Sequence, residues 1–93
     1  MKTIIINNII TEKTLVQSGN LLFDEINKSM NANEKLVLDM NGVSSLPSIF
    51  MNMSFGQFID NFGLEKLLST IQIINITKSQ AERISNYFKR YKS

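Results

Sequence analysis

The run Lys35-Leu36-Val37-Leu38-Asp39-Met40, closed by Asn41-Gly42, constrains the fold more than any other part of this sequence. A strand wet on one face alternates apolar with polar residues. A run this short and this continuous reads instead as a strand buried on both faces and ended by a tight turn. Such a strand needs helices on both sides of its sheet, which places the chain in the α/β class.

The flanking segments supply the other elements. Thr3 to Ile10 is rich in β-branched residues and interrupted by Asn7-Asn8, so a strand is expected to end or turn near the Asn pair, with a second strand from Ile9 to Lys13 left open. From about Gln17, Leu22, Ile26 and Met30 recur every four residues, with Phe23 beside them and Asp24, Glu25, Asn27 and Lys28 opposite. That spacing predicts an amphipathic helix entered at Ser18-Gly19 and left at Asn31-Ala32-Asn33. After a loop from Val43 to Pro47, residues Ile49, Phe50, Met53, Phe58, Ile59 and Phe62 mark a second helix, apolar most of the way round, which stops at Gly63.

Leu64 to Ser69 reads as a short helical turn leading into Thr70 to Ile76, another inner strand. Thr77-Lys78-Ser79-Gln80 has the spacing of a capping box, and the helix after it is expected to turn Ala81, Ile84, Phe88 and Tyr91 inward. The order predicts an α/β fold with a mixed or mostly parallel sheet of about four strands covered by about three helices, joined by right-handed crossovers.

A chain of 93 residues holds one core, so residues 1–93 are read as a single domain. It contains no cysteine and no histidine, which removes thiolate metal sites together with the commonest general base and metal ligand. No Gly-rich phosphate loop or nucleophile–base set compensates, so no enzymatic activity, cofactor or metal is expected. No stretch approaches the roughly 20 apolar residues that cross a bilayer, and the start lacks the pattern of a secretory signal; a cytoplasmic protein is expected. The formal charge of +2 is uneven: Lys78, Arg83, Lys89, Arg90 and Lys92 stand against one acid, Glu82, in the last stretch of the chain. Such residues are usually solvated near a helix C-terminus, but Arg83, Lys89, Arg90 and Lys92 also suit a contact with nucleic acid.

The segment from Leu36 to Phe50 places a strand, an Asp at its end, a tight turn, an apolar residue and small polar residues at a helix start. It resembles the STAS superfamily of sulfate-transporter and anti-sigma-factor-antagonist domains, whose segment reads roughly Leu-Asp-Leu-Ser-x-Val-x-x-Ile-Asp-Ser-Ser-Gly. It is closer to the STAS-like domain of unknown function, with Asp-Phe-x-Gly-Val-x-x-Ile-x-x-Ser-Phe and a later Gly. Asp39, Gly42, Val43, Leu46 and Pro47-Ser48 fall on that pattern, Phe50 lies one residue late, and Gly56 matches the later Gly.

The resemblance implies a STAS-like fold and a regulatory role. The antagonists bind a histidine-kinase-like ATPase, and phosphorylation of a Ser at the start of the second helix breaks that complex. In this chain the phosphorylated Ser aligns with Ile49 and the preceding Asp with Pro47, so only Ser48 matches the first Ser of the pair.

The leading expectation is therefore a non-catalytic, regulatory protein–protein interaction module. Its partner-binding residues are Asp39, Ser44, Ser45, Ser48, Met51 and Phe55, with Ser48 as the one candidate for phosphorylation. Met51 and Phe55 enter because, if Met53, Phe58 and Phe62 point inward, they lie toward the other side of the helix and form an exposed apolar patch. The bland reading of Ser48 is a helix cap. The alternatives are a nucleic-acid-associated protein using the basic helix and a subunit lending Asp39 or Ser48 to a partner's active site. A homodimer through an exposed first or last strand, or through the second helix, is also open.

Overall fold

The computed structural model describes residues 1–91. β1 (Lys2–Ile5) passes directly into α1 (Ile6–Glu12), and α2 (Leu15–Asn31) follows. β2 (Leu36–Asp39) leads through a loop to α3, a continuous helix over residues 48–62 whose α-helical ends, Ser48–Met51 and Gln57–Phe62, are joined by a π-helical stretch, Asn52–Gly56. The order is completed by α4 (Leu64–Thr70), β3 (Ile71–Ile74) and α5 (Lys78–Lys89).

The sheet is three-stranded and wholly parallel, in the order β1-β2-β3, with Ile4 and Ile73 on either side of Leu38. The expected fourth strand is absent among the described residues because Ile6 to Glu12 is helical. Ile6, Ile9 and Ile10 fall at i, i+3 and i+4; Ile6 is buried and the other two pack against the core. One apolar face outweighs the β propensity of three isoleucines.

The predicted two-sided cover of β2 also needs correction. Ile4, Leu36, Leu38, Ile71 and Ile73 point into the core, whereas Thr3, Ile5, Val37, Gln72 and Ile74 belong to the opposite face and contribute nothing to it. Ile5 is 45% exposed there. Val37 is nevertheless buried, because it is flanked in register by Thr3 and Gln72. A central strand can thus read as continuously apolar while only one of its faces is covered by helices.

α2 starts at Leu15, before the predicted Ser18-Gly19 entry. Thr14 Oγ1 accepts from the Gln17 N–H at 3.2 Å and Gln17 Oε1 accepts from the Thr14 N–H at 3.3 Å, a complete capping box. Gly19 instead serves packing: a Cβ there would lie 2.5 Å from Met53 Cβ. On the far flank of α3, a Cβ on Gly56 would lie 2.5 Å from Tyr87 Oη. Gly19 therefore lets α2 close on α3, and Gly56 makes room for the Tyr87 hydroxyl that α5 sends to the same helix.

Candidate interaction site

The loop after β2 is anchored from within. Val43 and Leu46 are buried, while Ser44 and Ser45 between them are exposed. Gly42 makes the turn at φ +83°, a conformation that disfavours any side chain, and the Val43 N–H donates to the Met40 carbonyl at 3.1 Å. The loop is thus a short arch with apolar feet and a polar crown.

α5 holds that arch in place. Thr77 and Gln80 form the predicted capping box, and the Gln80 side chain is buried with its Nε2 donating to the Val43 carbonyl. One turn on, Arg83 Nε donates to the Leu46 carbonyl at 2.8 Å and Nη2 to Ser48 Oγ at 3.2 Å. A planar guanidinium can make both bonds at once from a fixed position. Between the arch and the first turns of α5 lies an open crevice of about 410 Å³, lined by Ser44, Ser45, Leu46, Pro47, Ser79, Gln80 and Arg83. It sits beyond the carboxyl end of β2, where open α/β sheets commonly place ligands.

Of the residues predicted for the site, Ser44 and Ser45 line this crevice and Ser48 sits at its edge. Ser48 is not a cap: α3 has no side-chain hydrogen bond at its start, and the Ser48 hydroxyl is taken by Arg83. Asp39 stands apart. Its Oδ1 accepts from Asn75 Nδ2 at 3.0 Å and the Asn41 N–H at 2.9 Å, tying the ends of β2 and β3 together. The Asn75 bond first, and the Asn41 bond second, hold its carboxyl below the ordinary value.

Met51 and Phe55 do not form an exposed patch; both are buried in the core. The prediction assumed a uniform helical period, but the π-helical stretch winds Asn52–Gly56 more loosely and shifts the residues around it. α3 is also enclosed by α2 and α5, and Phe55 packs edge-on against Phe88 of α5 at 5.6 Å. Its exposed apolar residues are at the two ends, Phe62 and, next to Ser48 in the chain, Ile49 at 52% exposure.

The basic residues on and after α5 do not form one free surface. Arg83 is committed to the loop, Arg90 lies 5.6 Å over the Tyr87 ring, and Lys89 borders the groove beside β3; Lys92 lies outside the described residues. Tyr87, and not Tyr91 as expected, is the buried tyrosine. Its hydroxyl donates to Asn52 Oδ1 at 2.8 Å, and burial, followed by the Tyr91 hydrogen bond, pushes it well above the ordinary phenol range. It works as a neutral strut between α5 and the π-helical stretch.

Among the described residues no group of three or more acidic, His or Cys side chains is placed to hold a metal ion. Among them, too, no helix is long and apolar enough to cross a membrane. No curated protein and no solved structure is significantly similar to the chain. The model of one family matches residues 18–81, from the second turn of α2 through the opening of α5, and so takes in the whole of the crevice except Arg83. The chain belongs to that family, the STAS-like domain of unknown function (DUF4325).

Proposed function

We propose that this chain is a cytoplasmic, non-catalytic regulatory module that binds a protein partner through the arch 44–48, the adjoining Ile49 and the opening turn of α5. The observation that carries the reading is the triple attachment of the arch to α5 through Gln80 and Arg83, with Ser44, Ser45 and Ile49 left facing solvent. A surface held in one shape before contact loses little conformational freedom on binding. An exposed Ile beside serines supplies an apolar anchor with a polar rim. The partner class is a histidine-kinase-like ATPase, which is where the resemblance to anti-sigma-factor antagonists points.

Ser48 is where phosphorylation would act. A phosphate there would bring up to two negative charges to the Arg83 guanidinium and draw it from the Leu46 carbonyl, loosening the arch. The nucleic-acid reading draws less support, since Arg83 and Arg90 are engaged within the domain.

The test is calorimetric titration against a purified histidine-kinase-like ATPase encoded beside the gene. Ser45→Arg and Ile49→Glu should each weaken binding by about tenfold or more while leaving the circular dichroism spectrum unchanged. Full affinity in both folded variants would rule out this surface, and no binding by the wild type would rule out the partner class.

A further inference from the structure

Among the described residues β3 is an edge strand, paired with β2 alone, which leaves one side of its backbone to accept another strand. Its sequence, Ile71-Gln72-Ile73-Ile74, is short but carries neither the proline nor the charge that usually blunts an edge. The other edge differs, because β1 carries Lys2, which is paired with Glu25 of α2. Beside β3 runs an apolar groove of about 330 Å³, walled by Leu68, Ile73, Ile84 and Phe88 and bordered by Ala81 and Ser85. Leu68 is 45% exposed and also lines the adjoining hollow that holds the exposed Phe62 and Tyr91.

The charges on the outer flank of α5 indicate what covers this wall. Lys78, Ala81, Glu82, Ser85, Asn86 and Lys89 share that flank. Glu82 and Lys89 are equally distant from the midpoint between Ser85 and Asn86. If two copies of α5 pack antiparallel about a two-fold axis through that midpoint, Glu82 of each meets Lys89 of the other, giving two opposite-charge pairs from one surface. Ala81 and Ser85 are small enough for the helices to approach closely. Ile73 and Ser85 line the same groove, so β3 lies next to the flank on which the two helices would meet.

We propose that this wall is the interface of a two-fold homodimer in which β3 pairs with β3 and α5 with α5, joining two three-stranded sheets into one. It uses a different flank of α5 from the one that holds the arch 44–48, so either proposal can fail without the other.

The experiment is sedimentation equilibrium of the full chain across the micromolar range, comparing wild type, Glu82→Lys, Lys89→Glu and the double exchange. Both residues are exposed, and among the described residues neither makes a side-chain hydrogen bond or ion pair. The wild type should dimerise, each single reversal should weaken the dimer by about tenfold through two repelling pairs, and the double exchange should restore it. A wild type that remains monomeric would overturn the proposal and leave the groove to an extended segment of another protein. So would a dimer that both single reversals leave intact, or single losses that the double exchange does not recover.

Discussion

Arg83 Nε lies 2.8 Å from the carbonyl oxygen of Leu46, a residue 37 positions earlier in the chain. The bond joins a buried foot of the β2–α3 loop to the middle of α5. Arg83→Ala should therefore cost only about 1 kcal/mol of global stability while accelerating hydrogen exchange at the Val43 amide, whose bond to the Met40 carbonyl closes the turn beneath the loop. Arg83→Lys should not recover that protection, since an ammonium cannot make both bonds in the guanidinium's geometry.

The two capping boxes are chemically alike but differently placed. Gln17 is exposed and only caps α2, whereas Gln80 is buried, caps α5 and also donates to the Val43 carbonyl. Gln17→Ala should cost about 0.5–1 kcal/mol. Gln80→Ala should cost about 2–3 kcal/mol, because it also strands a buried carbonyl. Urea denaturation of the two variants gives the comparison.

Gly56 and Tyr87 should be energetically coupled. A methyl at position 56 would strike the Tyr87 hydroxyl, so Gly56→Ala should destabilise by about 1–3 kcal/mol despite the better helix propensity of alanine. In a Tyr87→Phe background the clash is reduced and the same substitution should cost less. A double-mutant cycle reads the difference directly.

Phe55 and Ile49 lie six residues apart on one helix with opposite exposure. Phe55→Ala should cost about 3–5 kcal/mol as a core truncation, while Ile49→Ser should change stability by less than about 0.5 kcal/mol. Equal costs in thermal denaturation would contradict the assignment of Phe55 to the core and Ile49 to the surface.

Asp39 makes stability depend on acid. Its folded carboxyl titrates below its unfolded value, so its contribution is fully present above the unfolded value and is lost as pH falls through the folded one. Asp39→Asn should be less stable than wild type near neutrality, and the gap should narrow under acid. An NMR titration of the Asp39 carboxyl should place its midpoint below about 3.9, the ordinary aspartate value.

How far the sequence spoke for the fold depended on whether the signal was local. The Thr77…Gln80 box, the stop at Gly63 and the β2 run could be read because each depends on neighbouring residues, and the same Thr-x-x-Gln pattern at Thr14…Gln17 was there to be used for α2. α1 was missed because Ile6, Ile9 and Ile10 carry a strand composition and become helical only by packing on the core. Within the site, the strand–turn–helix junction and its serines were legible. The buried position of Met51 and Phe55 was not, since it depends on a π-helical stretch and on α5 closing from the far side. The grip of Arg83 on Leu46 left no local trace, because α3, α4 and β3 all lie between the two residues in the chain.

The most direct test of the binding surface is an NMR titration of the isotope-labelled chain with the histidine-kinase-like ATPase, following every backbone amide. The account predicts that Ser44, Ser45, Ser48, Ile49 and Ser79 shift or broaden first, while Thr3, Ile5 and Gln72 on the open sheet face stay unchanged. Perturbation centred on the sheet face, with the arch amides unmoved, would contradict it.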